Sequence, residues 1–159
     1  PENALSVARM IRHLTYLSEN ALQNNFGRNL REKKNLSFGF GIDFHVESYL
    51  RQQGRSFVDR FDENSYLYMT RAMDYFDVSE EITNNQKKII DNEIRFLVLS
   101  FTSDWLFPTK ESREIVSLLN SIGSNVSFAE VVSDRGHDSF LLDEPQFFRV
   151  CEGFLKGIK

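Results

Sequence analysis

The stretch that decides the fold is Phe96-Leu97-Val98-Leu99-Ser100-Phe101-Thr102-Ser103-Asp104-Trp105-Leu106-Phe107-Pro108. Ile94 to Phe101 is a compact run of apolar residues, too short for a helix that must bury a face. It reads as a strand covered on both faces of a parallel sheet. The run ends on a small turn and an acid, Asp104. Pro108 and Thr109 then open a helix to Ile122: Glu111 and Glu114 lie near its start, and Ile115, Val116, Leu118, Leu119 and Ile122 form one face. Thr109 is the expected cap, and Gly123 ends the helix. Val126 to Val132 reads as a second strand. After it comes Ser133-Asp134-Arg135-Gly136-His137-Asp138-Ser139-Phe140, a Gly-His-Asp turn. Glu144 to Ile158 closes the chain as a helix with Pro145 in its first turn.

Residues 93–159 therefore read as β-α-β-α, the fold class α/β. Two parallel strands and one crossover helix do not bury a doubly apolar strand. The expectation is a C-terminal part of a larger α/β protein.

Upstream, the pattern is helical. Ala4 to Leu22 carries Leu5, Ala8, Ile11 and Leu14 near helical spacing. Asn24 to Gly41 reads as a loop. Val46 to Phe61 and Tyr66 to Phe76 are further amphipathic segments, the second with Asn64-Ser65 as its expected cap. Ser79 to Asn92 is polar and reads as a connector. The division expected is 1–92, helical, and 93–159, α/β.

Composition bounds the function. The chain has 159 residues with a formal net charge of −4, so no basic footprint for nucleic acid exists. Its longest apolar run is far too short to span a membrane. A single cysteine, Cys151, excludes an internal disulfide and fits a reducing, cytoplasmic setting. It reads as a small core residue. Three scattered histidines make no metal site. His13 and His45 read as surface residues, and Gly39-Phe40-Gly41 lacks the context of a nucleotide loop.

Asp104 and His137 both follow strand ends, at the sheet edge where ligands and catalytic groups collect. A carboxylate there can hold Nδ1 of the imidazole and leave Nε2 to take a proton from a hydroxyl. Taken alone, the residues leave a second reading open, in which Asp104 caps the next helix and His137 is a turn residue. No Gly-x-Ser-x-Gly segment occurs in the chain, so a triad serine is not supplied by it.

Several blocks in order carry a resemblance. They are Ala8-Arg9-Met10-Ile11-Arg12-His13-Leu14-Thr15-Tyr16-Leu17-Ser18, Val46-Glu47-Ser48-Tyr49-Leu50 and Arg60-Phe61-Asp62-Glu63-Asn64-Ser65-Tyr66-Leu67-Tyr68. Ser-Asp-Trp-Leu-Phe-Pro and Gly-His-Asp complete the set. Together they resemble the C-terminal part of the homoserine O-acetyltransferase family, acyltransferases of methionine biosynthesis with an α/β-hydrolase fold. The resemblance implies an upstream elbow serine that takes an acetyl group from acetyl-CoA and passes it to the hydroxyl of L-homoserine. It implies Asp104 as the triad acid and His137 as the base. Arg9 would bind the substrate carboxylate, Asp138 its amino group, and Tyr16, seven residues from Arg9, would be a further contact. Residues 1–92 would form a lid that also supports a homodimer. Acetyl-CoA would be a co-substrate, with no cofactor. Leu106 favours an acetyl donor, since succinyl-transferring relatives tend to carry arginine there. The alternatives are a succinyl donor, another alcohol as acceptor, an esterase, or a dimerising piece without activity of its own.

Overall fold

A computed structural model of the chain describes residues 1–31 and 35–157. The described residues divide into two compact units, Pro1–Tyr75 and Phe76–Lys159. No helix among them is long and apolar enough to cross a membrane.

The first unit is helical. Helix α1 (Glu2–Tyr16) ends at Leu17, and Ser18 starts α2 (Glu19–Asn25) by accepting from the N–H of Ala21 through Oγ. The single helix expected over Ala4–Leu22 is therefore two, because the serine hydroxyl captures a backbone donor that the continuing helix would have used. The expected loop then holds an isolated bridge between Leu30 and Phe44; its residues 32–34 lie outside the described residues. Helix α3 (His45–Val58) is opened by Glu47, whose Oε2 accepts from the N–H of Phe44 at 2.9 Å and of Asp43 at 3.0 Å. Those bonds hold the Glu47 carboxyl below the ordinary glutamate value. Helix α4 (Glu63–Asp74) is capped by Asp62, not by Asn64-Ser65: Asp62 Oδ1 accepts from the N–H of Ser65 at 2.8 Å.

Helices α1 and α3 pack closely because Gly54 has no side chain. A Cβ there would lie 2.3 Å from Ser6 Oγ and 2.9 Å from its carbonyl oxygen. Leu5 is buried on this side of α1, while Ile11 and Leu14 are exposed, so the expected apolar stripe is only partly covered within the unit.

The second unit begins with two short helices, α5 (Val78–Asn84) and α6 (Gln86–Asp91), where the sequence reads as a connector. Asp77 caps α5 by accepting from the N–H groups of Ser79 and Glu80, and Ile89 of α6 is buried. One apolar residue per turn and a good cap suffice when a neighbour supplies the rest of the packing. Strand β1 (Arg95–Phe101), helix α7 (Thr109–Ser121) and strand β2 (Asn125–Val131) form the parallel crossover. The strands are in register from Arg95 with Asn125 to Phe101 with Val131. Helix α8 (Pro145–Lys156) ends the unit. Leu119 and Val131 are fully buried at its centre, each worth about 1.5–3 kcal/mol. Thr109 does not cap α7. Its hydroxyl donates to Glu130 Oε1 at 2.8 Å and lies 3.0 Å from Ser100 Oγ, tying the helix start to both strands. Gly123 ends the helix at φ 76°. Most of β1 is only half-buried, and the sheet has two strands among the described residues, so its outer edges are bare.

Candidate active site

The two strands deliver two loops to one end of the sheet. After β1, the N–H of Thr102 continues the ladder to the carbonyl of Val131, and the chain turns through Ser103 to Asp104. After β2, Ser133 and Thr102 exchange two bonds: Thr102 Oγ1 donates to the Ser133 carbonyl at 3.0 Å and accepts from its N–H at 3.1 Å. Gly136 then adopts φ 83° and ψ −152°, a region open to glycine and costly for any residue with a Cβ. That bend starts a short 3₁₀ helix, His137–Leu141, and turns the imidazole back toward β1.

Asp104 is 8% exposed, and it uses its two oxygens separately. Oδ1 accepts from the N–H groups of Leu106 at 3.0 Å and Phe107 at 2.9 Å, which fixes the turn before α7. Oδ2 accepts from His137 Nδ1 at 2.8 Å across 33 residues of sequence. Asp104 therefore does not cap α7, which has no side-chain cap; its first oxygen holds the turn before the helix and its second meets the imidazole. A buried carboxylate only accepts, so the Nδ1 bond puts the proton of the neutral ring on Nδ1. A second bond ties the same loops: the N–H of Gly136 donates to Ser103 Oγ at 2.9 Å.

The ring is walled by apolar groups. Phe107 lies 5.0 Å from it, centroid to centroid, and Phe140 5.6 Å, edge to face. A cavity of about 310 Å³ opens beside the pair, its wall mostly apolar with Ser100 and Ser112 also lining it. Aromatic packing of this kind lowers the local dielectric and strengthens the attraction between a carboxylate and an imidazole that gains a proton. Asp138, next to His137, is half-buried, and its carboxylate makes no hydrogen bond among the described residues.

The remaining expected residues belong to the first unit. Arg9 is half-buried on α1, its guanidinium 5.0 Å over the ring of Phe57, with Nε buried and without a hydrogen-bond partner. That is not the surface ion pair such a residue makes by default. Tyr16 ends α1, and its hydroxyl accepts from Arg12 Nε at 3.2 Å. His13 is not a surface residue either. Its Nδ1 is 3.0 Å from the hydroxyl of Tyr49, and the two rings meet edge to face. His45 is exposed at the start of α3, as expected, and Cys151 is a half-buried free thiol.

A buried carboxylate that orients an imidazole at the carboxyl ends of adjacent parallel strands defines an α/β-hydrolase type of protein. The solved structures agree. The chain superposes on homoserine O-acetyltransferase from Bacillus anthracis with a TM-score of 0.69 at 19% identity, covering 87% of this chain and 37% of that one. It superposes on esterase E22 with a TM-score of 0.74 at 19% identity, covering 98% and 42%. No family model matches. In sequence, the chain is 58% identical over 156 residues to a homoserine O-acetyltransferase of Mesorhizobium japonicum and 57% identical over 157 residues to that of Pelagibacter ubique. Both matches take in 98% of this chain, which spans 40% and 42% of the length of these curated relatives. The chain belongs to the homoserine O-acetyltransferase family.

Sequence reasoning singled out Asp104 and His137 but not the groups that hold them: Ser103, Thr102, Ser133, Ser139 and Glu144. The sequence carries no usable signal for them, since serine and glycine are the ordinary residues of turns.

Proposed function

We propose that this chain carries the acid and the base of an acyltransferase that moves an acetyl group from acetyl-CoA to the hydroxyl of L-homoserine. The observation that carries the reading is the 2.8 Å bond from His137 Nδ1 to a buried Asp104 carboxylate. With Nδ1 protonated, Nε2 is the basic nitrogen.

In the first half-reaction a serine, supplied by the remainder of the enzyme, gives its proton to Nε2 as its oxygen bonds to the thioester carbonyl carbon. The tetrahedral adduct collapses, the C–S bond breaks, and the imidazolium returns the proton to the departing sulfur. Free CoA leaves and the serine holds an acetyl ester. In the second, the homoserine hydroxyl gives its proton to Nε2 and attacks the ester carbon. Collapse frees the serine oxygen, which takes the proton back. Asp104 steadies the imidazolium in both halves.

The roles of the other residues follow the resemblance. A guanidinium such as that of Arg9 suits a carboxylate as a two-pronged donor, and Asp138 suits an ammonium group. Tyr16 would be a further substrate contact. Leu106 offers no charge for a succinyl carboxylate, which supports the acetyl donor. The helices up to residue 92 would be the lid and dimer support, the rest of the chain the core, and the enzyme would act in the cytoplasm in methionine biosynthesis.

The test is turnover of the full-length enzyme that carries this chain, with acetyl-CoA or succinyl-CoA as donor and homoserine, serine or water as acceptor. The reading predicts O-acetylhomoserine as the main product and loss of that product in His137→Ala. Main transfer to water would make the protein an esterase and sink the assignment. Arg9→Ala and Asp138→Asn should each raise KM for homoserine.

A further inference from the structure

The Gly-His-Asp turn rests on a polar cluster that the acid–base pair does not use. Ser139 is fully buried, and the Glu144 side chain, at the start of α8, is 14% exposed. Ser133 Oγ donates to Glu144 Oε1 at 2.7 Å, lies 2.9 Å from Ser139 Oγ and accepts from the N–H of Arg135 at 3.3 Å. Ser139 Oγ donates to the carbonyl of Gly136 at 2.6 Å. Arg135 Nε faces the same Glu144 oxygen at 3.6 Å.

Counting protons gives the cluster a direction. A carboxylate only accepts, so the one hydroxyl proton of Ser133 is committed to Glu144. Ser133 is thereby an acceptor toward the turn. The single proton of Ser139 then meets two acceptors, Ser133 Oγ and the Gly136 carbonyl, and stays in the buried corner between them. Without the carboxylate, Ser133 turns its proton to Ser139, and the cluster that carries the Gly136 carbonyl loses its anchor on α8. Gly136 is the peptide from which His137 hangs. Its carbonyl accepts from Ser139 Oγ and, at 3.3 Å, from the Ser139 N–H, and its own N–H donates to Ser103 of the acid loop. A glycine at φ 83° has little intrinsic preference for that one conformation, so the bonds on its two backbone groups fix it.

We infer that Glu144, through Ser133 and Ser139, is a positioning residue for the His137 imidazole. The inference rests on the reading of His137 as the base. It makes Glu144 matter for the proton-transfer step and not for substrate affinity, since Ser133, Ser139 and Glu144 do not line the cavity beside His137.

The test compares Glu144→Ala with Glu144→Gln, which still offers an oxygen to Ser133, in the full-length enzyme with acetyl-CoA and L-homoserine. Glu144→Ala should lower kcat about tenfold with both KM values held within about twofold, the scale expected for a base that is present but loosely aimed. Glu144→Gln should recover all but about threefold of it. Proton NMR supplies a readout independent of turnover. The His137 Nδ1–H, bonded to Asp104, should exchange faster with water in Glu144→Ala than in Glu144→Gln or the parent. If Glu144→Ala does not fold, Ser133→Ala removes the same link and should give the same two results. Parent-like kcat and exchange in Glu144→Ala would overturn the inference, as would equal damage from Ala and Gln, which would trace the effect to the Arg135 ion pair. Asp104→Asn separates the two levels. Should it leave transfer intact, the base assignment itself fails. Should it abolish transfer while Glu144→Ala changes nothing, only the positioning role fails.

Discussion

The two units of this chain hold their polar residues by different means. In Phe76–Lys159 the buried polar groups bond to one another across long stretches of sequence: Asp104 to His137, Ser103 to Gly136, Thr102 to Ser133, Ser133 to Glu144. Pro1–Tyr75 has a long-range bond of this kind, His13 to Tyr49, and a local one from Ser37 to Asp43, but its other features are packing contacts: Arg9 over Phe57, Phe26 against Tyr49, Gly54 against Ser6. The first arrangement depends on the identity of particular oxygens and protons. The second depends on volume and shape. Isosteric polar changes should therefore damage the one unit and added methyl groups the other.

Asp104→Asn is the strongest way to test this contrast. It keeps the shape of the side chain, yet transfer should fall by about 10⁴-fold in initial-rate assays of the full-length enzyme, with little change in thermal stability. A large loss of stability with a small loss of rate would reverse the contrast. Gly136→Ala comes next. The positive φ makes a Cβ cost about 1–3 kcal/mol, which a urea melt followed by the near-ultraviolet signal of Trp105 would register. Gly54→Ala is the counterpart in the first unit. Its Cβ would meet the Ser6 carbonyl at 2.9 Å, and backbone does not swing aside, so destabilisation of about 1–3 kcal/mol is expected. If Gly54→Ala proves neutral, shape is not what holds that unit. The smallest effect is the pH dependence of α3. Glu47 titrates below its ordinary value in the folded chain. Its capping contribution is complete above that ordinary value. As the pH falls further, the unfolded chain takes up the proton first, so the contribution shrinks and is gone below the folded value. Helical circular dichroism of Glu47→Gln against the parent should show a stability gap at neutral pH that closes in acid.

The legible parts of the fold were those where one residue type decides. The run from Ile94 to Phe101 could only be a strand, and β1 begins one residue later at Arg95. Asp104 and His137 stood at strand ends, so strand register alone brought their loops together. The caps were harder: Asp62 lies within three residues of Asn64-Ser65, and Thr109 stands at the start of α7 yet turns its hydroxyl to the strands. Helices α5 and α6 were missed because their sequence is polar and their burial, at Ile89, depends on neighbours distant in sequence. The Ser133–Ser139–Glu144 cluster was missed for a related reason. Its bonds carry no periodicity, and a serine that holds a turn looks in sequence like a serine that faces water.

Asp104 gives one oxygen to the turn before α7 and the other to the imidazole. An amide in the same place has one accepting end and one donating end. The asparagine of Asp104→Asn would keep its oxygen toward the two N–H groups of Leu106 and Phe107, because two bonds outweigh one. Its NH₂ would then face His137, which could answer only with a lone pair on Nδ1. The ring would flip to the opposite tautomer, with its proton on Nε2, and offer a hydroxyl a donor where it needs an acceptor. The turn before α7 thus stores the direction of proton flow in the ring as well as its place.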